Sequence, residues 1–306
     1  MALRVLYVSP LAPHGNPAID AIAYGLQHVL HAAGIQLCVL FADFTAPDYR
    51  RQYEEAIAAG VAARVDAVVI YVIHASAFRE SVAKARAAGI PVFSFVRPDY
   101  PVNAAVIYPN FNHGAFMAGH LVALLEKDSG VAVIGGPQSV DDMEEVAGVM
   151  FALRLSHCKL LNDPTQTRYS NLADVAAGAR EPMSRILAEF PRIDGLIPYN
   201  DETMHGALAC LEDNGRAQEA KIVSRNGSPG AVEAVRQGRI AGTWDLDASG
   251  IGTTLGETIV RHLTHQEQYE QFLVMSPVGR MITLANIGTW RPWSERVQWT
   301  PLTMGL

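Results

Sequence analysis

Short continuous apolar runs alternate with amphipathic stretches along almost the whole chain. Residues 4–10 read RVLYVSP, 36–42 QLCVLFA, 67–72 AVVIYV and 91–96 PVFSFV. Between them, 17–33, 47–63 and 76–88 carry helical spacing. The runs are apolar throughout rather than alternating, so both faces of each strand should be covered by helices. That pattern predicts a parallel, doubly wound sheet with right-handed crossovers. An internal echo supports the register: Ala32-Ala33-Gly34-Ile35 and Ala87-Ala88-Gly89-Ile90 both end a helix and start a strand, with glycine supplying the left-handed cap.

The pattern restarts after 104–109. Helices are predicted over 110–127, 141–156, most of 172–190 despite Pro182, and 202–214. Strands are predicted at 131–135, 159–162, 195–199 and 221–224. The segment 222–247, IVSRNGSPGAVEAVRQGRIAGTWDLD, holds a strand, a polar turn at Gly227-Ser228-Pro229, a helix ended by Gly238 and a further strand. Polar side chains thereby gather at strand ends beside a helix N-terminus, where open α/β sheets bind small ligands. A helix over 251–263 follows. The tail 272–306 is rich in Pro, Trp and Met and shows no period that sets its path. The expected fold class is α/β: two doubly wound parallel-sheet lobes joined by a multi-strand hinge, with the ligand cleft between them. The N-terminal lobe would comprise 1–109 with 247–277, and the C-terminal lobe 110–246 with 278–306.

Composition narrows the function classes. The 306 residues are 49% apolar and 18% charged, with a net charge of -7; a large core is available and disorder is disfavoured. Without a Lys/Arg block, no nucleic-acid partner is expected. Cys38, Cys158 and Cys210 form no CxxC pair, so neither a disulfide framework nor a zinc pattern is expected. His14, His74 and His113 lack HxxxH or HExxH spacing, and no metal is expected. No apolar run reaches the ~18 residues of a membrane span. The first turn, Ser9 to Asn16, has neither GxGxxG nor a phosphate loop, and no GxSxG elbow occurs; no cofactor is expected.

The chain resembles the type I periplasmic sugar-binding proteins of the ribose-binding kind, whose fold also serves the effector domains of LacI-type repressors. The resemblance rests on Asn16-Pro17 after the first strand, on Gly89-Ile90-Pro91-Val92 leading to Arg97, on Ala118-Gly119 in the helix after Asn110, on Tyr199-Asn200-Asp201, and on the strand, Asn226-Gly227-x-Pro turn, helix and Gly242-Thr243 strand. It covers nearly the whole chain to about Pro277. It implies ligand contacts from Asn16, Arg97, Asn200 and Asn226, with Asp245 or Asp247 taking the place of a family contact near the apolar Leu246. Arg97 would donate paired hydrogen bonds to adjacent hydroxyls.

The chain also departs from the family pattern. Ala18-Ile19 stand where aromatics follow Asn-Pro, with Asp20 close behind. Val96 replaces the Asp before Arg97, Glu145 aligns with a ligand-contacting Arg, and Asn226, preceded by Arg225, takes a position where Asp is common. These departures weaken a plain ribose or glucose assignment, and a polyol, a substituted sugar or another small polar ligand fits as well. His14 is a further candidate contact, and Trp244 a candidate stacking face. Structural readings stand beside these roles. Asn16 and Asp201 fit helix N-caps, and acids at Glu145 and its neighbours complement a helix dipole.

Three functions follow in order of preference. The first is a solute-binding protein that closes on a small polyhydroxylated ligand and presents it to an ABC permease in the membrane, acting as a monomer. The second is a ligand-sensing domain of a repressor or of a sensor partner; only residues 1–3 precede the first strand, which argues against a DNA-binding arm. The third, an α/β enzyme, has no supporting motif. A periplasmic location requires that a signal peptide was removed, and a cytoplasmic one follows if Met1 is the native start.

Overall fold

Strand and helix alternate as the apolar pattern requires. In the computed structural model, which describes residues 2–306, the chain runs through β1 (Arg4–Ser9), α1 (Pro17–Ala32), β2 (Gln36–Phe41), α2 (Tyr49–Ala62), β3 (Ala67–Tyr71), α3 (Arg79–Ala87), β4 (Val92–Phe95) and β5 (Ala104–Ile107). It continues through α4 (Asn110–Val122), β6 (Gly130–Ile134), α5 (Val140–Arg154), β7 (Lys159–Leu160), α6 (Arg180–Glu189), β8 (Gly195–Pro198), α7 (Asp201–Asp213), β9 (Lys221–Asn226), α8 (Pro229–Arg236) and β10 (Gly242–Asp245). It closes with α9 (Ala248–Leu263), β11 (Phe272–Met275), β12 (Arg280–Ile282), α10 (Trp293–Arg296) and β13 (Thr303–Met304).

Two units result. The first gathers the chain up to Tyr108 with Ala248–Pro277 and Trp293–Leu306; the second is Pro109–Asp247 with Val278–Pro292. The first unit's sheet has the order β11-β5-β4-β3-β1-β2-β13, with all pairs parallel. The second unit's sheet runs β12-β10-β9-β8-β6-β7, parallel except for the antiparallel edge pair of β12 and β10. Strands β1, β3, β4, β6 and β8 are buried along nearly their whole length, as continuous apolar runs demand. Each unit also contains one helix pair in which glycine lets backbones touch. A Cβ on Gly25 of α1 would lie 2.0 Å from the Ser249 carbonyl of α9, and one on Gly148 of α5 would lie 1.9 Å from the Phe111 carbonyl of α4.

The structure corrects the course of the chain read from the sequence at 172–190 and in the tail. Of the stretch 172–190, only Arg180–Glu189 is α-helical, preceded by a 3-10 turn at Ala176–Ala179. Pro182 sits in the first turn of α6, where no intrahelical N–H is needed. The tail does not stay with the second unit throughout. Residues 293–306 return to the first, where Thr303 and Met304 pair with Cys38 and Val39. The Gln27 amide donates to the Thr300 and Pro301 carbonyls (2.8 and 3.0 Å), Trp299 stacks on Tyr24 at 4.2 Å, and Trp293 is buried. A two-residue strand held by long-range side-chain bonds leaves no local periodic signal.

Candidate ligand-binding site

In the first unit, three candidate residues lie after β1 and one after β4, at the carboxyl ends of the strands. Asn16 is buried and extended (φ -148), and its side-chain oxygen accepts the Ala18 N–H at 3.0 Å. It is the N-cap of α1, with Pro17 at the first helical position. Asp20 closes the same loop. Its carboxylate accepts the His14 N–H at 3.0 and 3.2 Å, and the His14 ring lies 3.7 Å away. Burial raises the Asp20 pKa, with the His14 N–H and ring opposing it. His14 itself is in the left-handed region (φ 68) with an exposed side chain. The structure thus gives Asp20 and His14 a loop-closing role that spacing alone did not show.

Arg97 leaves β4 through Val96, which sits at φ 67. A β-branched residue held there costs on the order of 1–3 kcal/mol. The turn is kept by the Val96 N–H donating to the Val106 carbonyl and by Ser94 Oγ donating to the Val96 carbonyl. Arg97 is exposed and forms no ion pair among the described residues. It lines a groove of about 570 Å³ with Ala75, Tyr100 and Phe272. Beneath these loops, the Tyr53 hydroxyl of α2 donates to the Val8 carbonyl (2.7 Å) and accepts the Tyr71 N–H (2.7 Å). It bridges β1 and β3 where their ladder ends, a role the sequence reading missed.

In the second unit, β9 and β10 present alternate side chains to opposite faces. Register pairs Ser224 with Thr243, Arg225 with Trp244, and Asn226 with Asp245. Ser224 and Thr243 face the start of α7. There Asn200, not Asp201, is the N-cap: its side-chain oxygen accepts the Thr203 N–H at 2.9 Å, and its amide nitrogen donates to Asp174 at 2.5 Å. The expectation that Asp201 caps this helix is corrected. Asp201 is fully buried, and its carboxylate accepts Ser224 Oγ (2.5 Å), Thr243 Oγ1 (2.8 Å) and the Ser228 N–H (2.7 Å). Burial pushes its pKa up to about 7 against the pull of these donors.

Asn226 ends β9 at φ 122 and is 6% exposed. Its side chain makes no hydrogen bond among the described residues. Its amide atoms still reach solvent at the strand end, and they would be costly to cover without a partner. Gly227 follows at φ 73, and a Cβ there would lie 2.5 Å from the Asp245 Cα. Asp245 is buried and accepts the Asp247 N–H at 2.9 Å, while Asp247 turns the chain at φ 51.

The opposite face of β9 and β10 removes two candidates. Glu145 is 1% exposed, and its carboxylate is ion-paired with Arg225. The alternation that points Asn226 one way points Arg225 the other, toward α5, and a charge buried in a strand requires a counter-charge. Trp244 is 8% exposed, stacked with Phe116 at 5.7 Å and beside the His113 ring at 5.4 Å; a Cβ on Gly279 would touch its indole nitrogen. At 8% exposure and with α4 rings against it, it packs within the unit. His113 belongs to the same layer. Burial, and then Arg225, pushes its pKa down to about 3, so it is neutral. Arg225 also lies over the Tyr199 ring. No group of His, Cys, Asp and Glu among the described residues is arranged to hold a metal ion, and no helix among them is long and apolar enough to cross a membrane.

Comparison with known proteins bears on this arrangement. The family described as periplasmic binding protein domain matches residues 10–267. The ribose import binding protein of Bacillus subtilis (strain 168) is 22% identical over 230 residues, spanning 74% of this chain and 72% of that protein. A periplasmic solute-binding protein of an ABC transporter from Actinobacillus succinogenes 130z, solved with bound D-allose, superposes with a TM-score of 0.82 at 22% identity, covering 95% of this chain and 100% of its own. The periplasmic component of the arabinose ABC transporter from Shewanella sp. ANA-3, bound to L-arabinofuranose, gives a TM-score of 0.81 at 15% identity, covering 96% and 95%. The shared fold is two α/β units with mostly parallel sheets.

Proposed function

Because the chain belongs to the periplasmic binding protein domain family, a family of binding proteins rather than enzymes, we propose that it is the solute-binding protein of an ABC importer. The ligand is a sugar, a polyol or a related polyhydroxylated molecule, captured by hinge closure. One observation carries this reading: the Asn226 amide, at the end of β9, has no hydrogen-bond partner within the described protein and keeps its polar atoms open to solvent although the residue is 6% exposed. A ligand bearing several hydroxyls can replace water at this amide, and supplies the partner it would otherwise lack once covered. The relatives named for ribose, D-allose and arabinofuranose support a sugar as the ligand class.

The contact set we infer is Asn16 and Arg97 with the 14–20 loop in the first unit, and Asn200, Asn226, Asp245 and Asp247 in the second. Glu145 and Trp244 are left out. The chain passes between units after Tyr108, Asp247, Pro277 and Pro292, and these passages are the segments that would absorb rotation. The partner is an ABC permease, the compartment is extracytoplasmic as for the family, and the working form is a monomer. A thermal-shift screen with pentoses, hexoses, polyols, sugar acids and amino acids tests the ligand class. A tight ligand at a hundredfold excess over Kd stabilises by about 2.7 kcal/mol. A response to amino acids alone would overturn the proposal.

A further inference from the structure

Two of the inferred contacts, Asn200 and Asn226, belong to different strand ends, yet one side chain links them. Asp201 directly follows Asn200 and begins α7. Its Oδ1 accepts Ser224 Oγ and Thr243 Oγ1, and its Oδ2 accepts the Ser228 N–H. Thr243 Oγ1 in turn accepts the Gly227 N–H at 3.1 Å. The two N–H groups after Asn226 are therefore both fixed, one by the Asp201 carboxylate directly and one through Thr243. Asn226 needs such restraint. Its φ of 122 is a backbone state that side-chain-bearing residues rarely adopt, and such states persist only where the surroundings over-determine them.

We propose that Asp201 is a positioning residue for ligand binding, setting Asn226 against Asn200 through Thr243 and the Gly227-Ser228 turn. The inference rests on the reading of Asn226 as a ligand contact and goes beyond it by naming what holds that contact in place. Fixing a polar group to within a fraction of an ångström is the usual work of the residues behind a binding site. Asp201 does this from a position that no solvent reaches. Thr243 relays the restraint with a hydroxyl that both accepts and donates, a role valine, its isostere, cannot fill.

The test uses the full chain and isothermal titration with D-ribose, D-allose and L-arabinose, on variants whose melting curves show them folded. Thr243→Val should weaken the best-bound sugar by about tenfold, the value of one lost hydrogen bond, and Thr243→Ser should restore it. Asp201→Asn should weaken it at least as much. The decisive arm is the cycle with Asn226→Ala. If Thr243 acts through Asn226, Thr243→Val costs nothing further once Asn226→Ala is present. Losses that add in the double variant, or wild-type affinity in folded Thr243→Val and Asp201→Asn while Asn226→Ala is weak, would overturn the positioning role alone. Wild-type affinity in Asn226→Ala, or no binding by any of the three sugars, would overturn the reading of the site and this inference with it.

Discussion

The two units share a plan and differ in what they bury. In the first, the buried polar side chains are neutral: Ser9, Asn16, Gln27, Ser94 and Asn103, with Ser249, Thr258 and Ser276. In the second, Asp141, Asp142, Glu145, Asp201, Arg225 and Asp245 are all buried as well. Both units must hold polar loops at the carboxyl ends of parallel strands. The first does so with hydroxyls and caps, such as Tyr53 between β1 and β3 and Asn16 on α1. The second uses carboxylates. Asp142 accepts the N–H groups of Gly136 and Gln138, Asp201 ties α7 to β9 and β10, and Glu145 neutralises Arg225. Loss of a neutral bond removes only that bond; breaking the Glu145–Arg225 pair costs more, because the survivor is left ionised in a dry site.

Substitutions that break one device in each unit sharpen this contrast. Arg225→Ala strands Glu145 and should cost about 3–5 kcal/mol in urea unfolding, whereas Arg225→Met with Glu145→Leu should recover most of it. A smaller loss is expected in the first unit. Tyr53→Phe leaves the Val8 carbonyl and Tyr71 N–H without their bridge and should cost roughly 1–3 kcal/mol. If Tyr53→Phe proved as damaging as Arg225→Ala, the distinction between the units would collapse.

The pH dependence of stability separates the units in another way. The folded pKa of Asp201 is raised to about 7 from its ordinary value near 3.8. Its contribution to stability is fully present below the unfolded value and is lost as pH rises through about 7. Melting temperature followed from pH 4 to 8 should therefore show a falling component that Asp201→Asn removes. An unchanged slope in that variant would mean that Asp201 stays ionised in the folded chain over the whole range. The smallest effect belongs to His113, which is held neutral by burial and by Arg225. Its ring resonances should not titrate between pH 5 and 8, and movement there would show that the layer between α4 and β10 admits water.

Much of this architecture was legible in the sequence. Continuous apolar runs placed the inner strands of both sheets but not the edge strands β11, β12 and β13 of the tail, and Asn16-Pro17 marked a helix start that the structure keeps. Local chemistry of that kind depends on neighbours a few residues away. What escaped depends on distance along the chain. Glu145 and Arg225 are 80 residues apart, and neither the acidic start of α5 nor the apolar run of β9 names the other. One cue existed: Arg225 and Asn226 adjoin in a strand, so period two must send them to opposite faces. With Ser224 bonded to Asp201 of α7, Arg225 had to turn to the other face and find an acid. Trp244 follows by the same alternation from Thr243 and Asp245 and packs against the rings of α4. The swap of roles between Asn200 and Asp201 escaped because both residues cap helices well, and only the hydroxyls of Ser224 and Thr243 decide between them.

The central claim is that an unused amide at the end of β9 awaits a polyhydroxylated ligand. Isothermal titration of the wild-type chain and of Asn226→Ala with D-ribose, D-allose and L-arabinose tests it most directly. The account predicts saturable one-to-one binding of at least one of these sugars by the wild type and a loss of affinity of about tenfold or more in the variant. Binding of equal strength in both, or no sugar bound by either, would contradict it.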